Sequence, residues 1–352
     1  MPRKIVTRDG GNSFELREFD LPALGASDVR VRVQFSAPKH GTESKILTDN
    51  VFGNKRWDPE LRMFLPRSAA EPASPAPTER GIGNMVVGVV MEAGPAVTQY
   101  KIGDNVFGYG PICEIHTAPE SKWYPLGDLS DEDAVAVDPA HVAFVAVRDG
   151  NIRIGDDVAV YGLGAIGLMA VQVSRAAGAR RVFGVDPFTL RREHALAHGA
   201  DAVFDPTQCD AAHAIKLATE KQGVDVALEV SGNSRALHDC MRCIRQCGNV
   251  VLVAFGPKDN AHLHLDEEFH HNRPTLIGSQ AWEGWGNPDR GYPLWTHQRA
   301  YDATIQLFRE RKLTGGGLIN PIVNFDEAPR RLVAMLKNPE TTIKMGVRFQ
   351  GA

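Results

Sequence analysis

Alternating apolar and polar positions dominate the first third of the chain. DVRVRVQF (residues 28–35), MVVGVVMEAG (85–94) and DNVFGYG (104–110) read as strands divided by Gly, Pro, Asp and Asn. Between them FLPRSAAEPASPAPTER (64–80) is rich in Pro, Ala and Ser and reads as a loop or exposed flap, longer than packing alone requires. From residue 133 the pattern changes. DAVAVDPAHVAFVAVRDG has helical apolar spacing, and then strand and helix patterns alternate. DDVAVYG, RVFGVD, DAVFDP, VDVALEVSG, NVVLVAFG and PTLIGSQ read as strands; AIGLMAVQVSRAAGA, TLRREHALAHGA, AAHAIKLATEKQG and SRALHDCMRCIRQCG read as helices. That alternation predicts a parallel sheet covered on both faces. The last 60 residues hold two helices (YDATIQLFRERKL, EAPRRLVAMLKN) and a strand (TIKMGVRF), too little for a third core, so they are expected to pack back on the first.

Length sharpens this picture: 352 residues are long for one core, and two domains are the default expectation. A charged fraction of 23% with net charge -4 gives no basic footprint for nucleic acid. No apolar run is long enough to span a membrane, and MPRKIVTRDG lacks the apolar core of a secretion signal. Five cysteines describe no disulfide framework, and the chain reads as cytoplasmic.

VAVYGLGAIG carries the clearest chemistry. Gly162, Gly164 and Gly167 form GxGxxG between an apolar strand and a helix, where the turn and the first helical N–H groups (Ala165, Ile166) can receive a pyrophosphate. Asp186 ends the next strand, 19 residues past Gly167, placed to accept from ribose hydroxyls and to repel a 2′-phosphate, which favours NAD over NADP. Arg191 and Arg192 could blunt that preference, although a solvated helix face explains them equally well.

The whole chain resembles the medium-chain, zinc-type alcohol, polyol and threonine dehydrogenases. The likeness runs through GTE (41–43), VVGVVMEAG (86–94), KIGDNVFG (101–108), GLGAIGLMAVQVSRAAGA (162–179) and GVDVALEVSG (223–232). It implies an α/β fold: a GroES-like β-rich catalytic domain (1–140), a Rossmann doubly wound parallel-sheet domain binding NAD (141–290), and a C-terminal segment (291–352) returning to the catalytic domain. It also implies Ser231, Phe255 and Gly256 as further cofactor contacts, a nicotinamide between the domains, and a homodimer or homotetramer.

The departures from the family are informative. His-Gly-Thr-Glu replaces its Cys-Gly-Thr-Asp, so His40 takes the first zinc-ligand position, Thr42 the proton-relay position and Glu43 the outer carboxylate position. Asn84 and Met85 stand where the family has His and Glu, and Asp138 falls at the third ligand position. His40 and Asp138 would be the ligands of any zinc, with His116 or His141 as a third, and the four cysteines of a structural zinc are missing. Without a metal, His40 suits acid–base work near neutrality, Thr42 a relay, and Asp138 the orientation of the imidazole.

Three other clusters compete for attention. Cys240, Cys243 and Cys247 share a face if SRALHDCMRCIRQCG is one helix, which reads as core packing rather than metal or redox chemistry. In AHLHLDEEFHHN, His262 and His264 alternate on an expected strand and could take up stray metal, although a surface or domain-edge segment accounts for them. Trp282, Trp285, Tyr292 and Trp295 crowd WEGWGNPDRGYPLW, as a stacking wall for a ring-shaped substrate, a subunit contact or internal packing. The function expected is NAD-dependent oxidation of a secondary alcohol, of a sugar, sugar derivative or cyclitol, without catalytic zinc. The alternatives are an enoyl- or quinone-type reductase, an epimerase or lyase using retained NAD, and an NAD-binding scaffold without catalysis.

Overall fold

A computed structural model describes residues 1–8, 13–39, 55–67, 80–254, 262–281 and 295–350. The chain divides into two compact units, one of residues 1–56, 64–136 and 314–352 and the other of residues 57–63 and 137–313. The helix Asp131–Asp149 carries the chain from the first into the second, with Pro139 in its interior.

The first unit is built on β1 (Arg3–Arg8), β2 (Ser13–Glu18), β3 (Asp28–Ala37), and, after the short ladder of β4 (Lys55–Asp58) with β5 (Met63–Pro66), on β6 (Met85–Ala93), β7 (Asn105–Tyr109), β8 (Ile115–Pro119) and β9 (Trp123–Pro125). β3 pairs antiparallel with both β6 and β8, so alternation along β3 does not place every polar residue in water. Arg30 is buried, donating to Glu92, Thr117 and the Pro22 carbonyl. A strand that periodicity did not announce, β16 (Ile319–Asn324), pairs with β17 (Lys344–Arg348), and β17 joins β3. The C-terminal strands therefore complete the first sheet, around Val29, Val31, Val86, Val106, Met345 and Val347.

The second unit holds six parallel strands in the order β12–β11–β10–β13–β14–β15: β10 (Asp157–Tyr161), β11 (Arg181–Val185), β12 (Ala202–Phe204), β13 (Val224–Glu229), β14 (Ile244–Leu252) and β15 (Thr275–Gly278). The order reverses at β10, the signature of the doubly wound α/β fold. All five residues of β10 are buried, as an interior parallel strand requires.

Two local expectations are corrected. The helix that begins at Ser234 stops at Cys243, because Ile244 turns extended (φ -71°, ψ 147°) and starts β14. Val224 pairs with Ile244 but Val226 with Asn249, so residues 245–248 are held out of register and Cys247 is exposed at φ 60° rather than on the helix face. Buried Ile244 decides this by anchoring the strand, which helical spacing cannot register. Cys240 and Cys243 remain fully buried, and burial pushes the Cys243 thiol up to about 12 and Cys240 well above its ordinary value, so both pack as neutral thiols. Likewise, His262 and His264 do not alternate on a strand; they enter a helical turn at Leu265–Phe269.

Candidate functional site

β10 ends at Tyr161, and the chain turns through Gly162 (φ +92°) into the helix Ala165–Ala176. A Cβ at Gly162 would lie 2.7 Å from the Ser231 backbone, and one at Gly167 would collide with the Gly162 carbonyl oxygen. Both glycines are thus demanded by the protein itself. Gly164 is different: its backbone is extended and nothing lies within 4 Å of where a Cβ would stand. The open space is what a closely approaching pyrophosphate requires. The first helical bond runs from the Leu168 N–H to the Gly164 carbonyl, and no side chain caps the helix. The N–H groups of Ala165, Ile166 and Gly167 therefore precede the helical ladder, at the positive end of the helix dipole.

Asp186 lies just past β11 and is 3% exposed. Its Oδ2 accepts from the Leu163 N–H at 2.8 Å and its Oδ1 from the Phe188 N–H at 2.9 Å. The carboxylate is so tied to the turn, and each oxygen keeps a lone pair for a further donor. The neighbouring arginines are not a solvated face: their side chains are only 15% and 16% exposed. Arg192 binds the Asp186 carbonyl and Asp205, while Arg191 lies over the Phe188 ring and 3.7 Å from the Asp186 carboxylate.

Ser231 stands in the turn after β13, against Gly162. It donates to Glu229, whose Oε1 also accepts the Gly232 N–H, both at 2.7 Å. Glu229 is fully buried, and it is a residue that motif reading passed over although it lies inside VALEVSG. Phe255 and Gly256 lie outside the described residues, as do His40, Thr42 and Glu43.

Around the expected reaction centre, Asn84 donates its backbone N–H to the Ala37 carbonyl, and its buried Nδ2 meets no acceptor among the described residues. Met85 is fully buried in β6. His116 packs against Trp123 (5.5 Å between rings), and burial lowers its pKa, keeping it neutral. An amide and a core thioether at two of the family's positions are a poor donor set for zinc, and the residues described there do not fit the family's catalytic metal.

Asp138 and His141, one turn apart on the helix Asp131–Asp149, are 4% and 2% exposed. The His141 ring lies edge-on to His297 at 4.8 Å and 5.3 Å from Tyr301. His297 and Tyr301, spaced i, i+4 on the helix His297–Arg309, went unremarked in the sequence, where only that spacing could have drawn attention. Trp295 is held between the guanidiniums of Arg148 and Arg299, at 3.9 and 4.0 Å, and is packed internally; Trp282, Trp285 and Tyr292 lie outside the described residues. A further unremarked residue is Lys344, the first residue of β17. It is 2% exposed and donates to the Pro38 carbonyl at 2.6 Å, two residues before His40.

No helix among the described residues is long and apolar enough to cross a membrane. The family model described as "Zinc-binding dehydrogenase" matches residues 165–286. The chain is 38% identical to the D-guloside 3-dehydrogenase of Escherichia coli (strain K12) over 340 residues, 95% of this chain and 96% of that protein. Two crystal structures share the fold. One is an Escherichia coli oxidoreductase/dehydrogenase of unknown specificity involved in membrane biogenesis (TM-score 0.77, 17% identity, covering 99% of this chain and 100% of that one). The other is the 2R,3R-butanediol dehydrogenase of Bacillus subtilis (TM-score 0.76, 22% identity, covering 99% of each). With the sheet order, the glycine turn and a relative alike along nearly its whole length, the chain belongs to the medium-chain, zinc-type alcohol dehydrogenase family.

Proposed function

We propose that this enzyme oxidises a secondary hydroxyl of a sugar derivative, a hexoside in particular, with NAD as the hydride acceptor and side chains rather than zinc as the proton acceptor. Family membership supplies the coarse activity, NAD-linked oxidation and reduction of alcohol or polyol substrates. The observation that carries the choice of NAD is the Asp186 carboxylate, fixed by two backbone N–H groups beside the glycine turn. A ribose with free 2′- and 3′-hydroxyls offers it donors, whereas a 2′-phosphate brings negative charge and acceptor oxygens to an acidic side chain. The contacts assigned to the cofactor are Gly162, Gly164, Ala165, Ile166, Gly167, Asp186, Ser231, Phe255 and Gly256. Glu229 acts behind them by holding the Ser231 turn against Gly162.

The substrate class is supported by the relative named D-guloside 3-dehydrogenase, whose likeness extends over 95% of this chain. On this reading the substrate hydroxyl gives its proton to His40 by way of Thr42, and Asp138 orients the imidazole. The carbinol carbon loses its hydride to bound NAD and becomes a ketone, so the products are a keto-sugar, NADH and a proton. His40 suits the task because an imidazole exchanges protons near neutrality without a metal's help. The donor set at Asn84 and Met85 supports the zinc-free form.

The test is a spectrophotometric assay of untagged, chelator-washed protein with hexosides and cyclitols, each with NAD and with NADP. Expected are NADH formation with NAD, no turnover by His40→Ala, and unchanged NAD binding in that variant. Equal or tighter NADP binding sinks the role of Asp186. Near wild-type turnover by His40→Ala ends the role of His40, and zinc-dependent activity that His40→Ala or Asp138→Asn loses together with an equivalent of bound zinc ends the metal-free mechanism.

A further inference from the structure

Away from the nucleotide turn, the helix Ser234–Cys243 meets the turn Leu265–Phe269. His238, Glu267 and Glu268 there bring one ligand atom each to within 4.8 Å of one another. The His238 Nε2 lies 3.7 Å from a Glu267 carboxylate oxygen, and the His264 ring stands edge-on to His238 at 5.2 Å. Two atoms of this cluster are buried without a hydrogen-bond partner among the described residues: the His238 Nδ1 and the Glu268 Oε2. Buried polar atoms of this kind ordinarily have a protein group, water or ion to meet.

The local charge does not supply that partner. Arg242 grips Asp210 with two bonds of 2.9 and 2.6 Å and Asp239 with one of 2.9 Å, and approaches Glu268 only to 3.8 Å. Glu267 faces an imidazole rather than a guanidinium. The turn thus presents two carboxylates to a position where one arginine is already committed elsewhere.

We propose that His238, Glu267 and Glu268, with His264 beside them, form a structural site for a divalent transition cation of the zinc class, which pins the 265–269 turn to the helix Ser234–Cys243. Two ligands on a tetrahedral zinc stand about 3.4 Å apart, so the 3.7 Å spacing of His238 and Glu267 closes by side-chain motion alone. A mixed imidazole–carboxylate set selects zinc, cobalt or nickel over magnesium and calcium, which take oxygen ligands. The site is separate from His40 and Asp138 in sequence, and it does not depend on the reaction proposed above.

The experiment uses the full untagged chain, stripped with chelator and titrated calorimetrically with zinc chloride. Wild type is compared with His238→Ala, Glu268→Gln, the two combined, His40→Ala, and a triple variant His262→Ala/His270→Ala/His271→Ala, with circular dichroism as the check of folding. Loss of an outer partner alone weakens metal affinity about 10–100-fold, so loss of a ligand should weaken zinc at least about tenfold. The combined variant should lose one equivalent of zinc and the rise in Tm that zinc confers, while His40→Ala and the triple variant keep both. If the combined variant does not fold, Glu268→Gln alone is read by the same loss. Unchanged zinc binding in folded Glu268→Gln and His238→Ala overturns the proposal. So does an absence of zinc binding in wild type, or loss of binding only in the triple variant, which would mark adventitious surface histidines.

Discussion

At the carboxyl ends of the parallel sheet, Asp186 and Glu229 are buried, and their nearest donors are backbone N–H groups and a serine hydroxyl. At the amino end of the same sheet, Asp157 is equally buried but lies between the guanidiniums of Arg180 and Arg181, at 2.6 and 2.7 Å. Its neighbours repeat the pattern, with Arg245 on Asp225 and Arg175 on Asp201. Burial alone would raise the Asp157 pKa, and the two arginines outweigh it and hold it at about 2. The carboxylate side chain thus serves two ends. Where two guanidiniums grip it, the acid closes the bottom of the sheet; at Asp186, where backbone N–H groups hold it and Arg191 stands off at 3.7 Å, each oxygen keeps a lone pair for a ligand.

The contrast is tested most severely at Gly167. Alanine there forces a Cβ into the Gly162 carbonyl, an overpacking that should cost about 3 kcal/mol or more and abolish NAD binding. Urea unfolding and NAD fluorescence titration measure the two losses. Glu229→Ala leaves the Gly232 N–H and the Ser231 hydroxyl without their acceptor, and about 2–3 kcal/mol of stability should go, with weaker NAD binding.

Asp157→Asn should cost about 2 kcal/mol at neutral pH yet leave NAD affinity unchanged, since the residue lies at the far end of its strand. The sign follows from a folded pKa below the ordinary 3.8: the stabilisation is complete above about 4 and is lost as pH falls toward about 2. Wild type and variant should therefore converge in urea titrations through that window. A variant that also lost NAD would break the division between the two ends. The smallest effect on stability is expected at Gly164→Ala, within about 0.5 kcal/mol of wild type, because no protein atom occupies the space. NAD binding should nonetheless weaken, and full affinity would mean that the open space is not the pyrophosphate's.

Legibility differed between regions for physical reasons. The glycine turn and Asp186 could be read because a phosphate-binding turn dictates residue type at each position, whatever surrounds it. Glu229 could not, because a glutamate at a strand end becomes meaningful only once β13 brings it under the Ser231 turn. Cys247 was misplaced because helical spacing continues through SRALHDCMRCIRQCG, and only the pairing of Ile244 with Val224 ends the helix. β16 was missed because INPIVN is short and carries a proline. The His40 stretch lies outside the described residues, so its role rests on the family pattern and on the proposed test.

The sequence by itself determined the alternation of strands and helices, the nucleotide turn, and the replacement of the family's zinc donors by Asn84 and Met85. Each depends on the side chain a position carries and on its near neighbours. Tertiary structure alone decided which acids are neutralised and which keep their capacity to bind. It also put Lys344 beside Pro38, and joined His141 to His297 and His238 to Glu267. Those partners are far apart along the chain, so only the folded chain brings them within reach; where the contact is buried, as at Lys344, no water screens it.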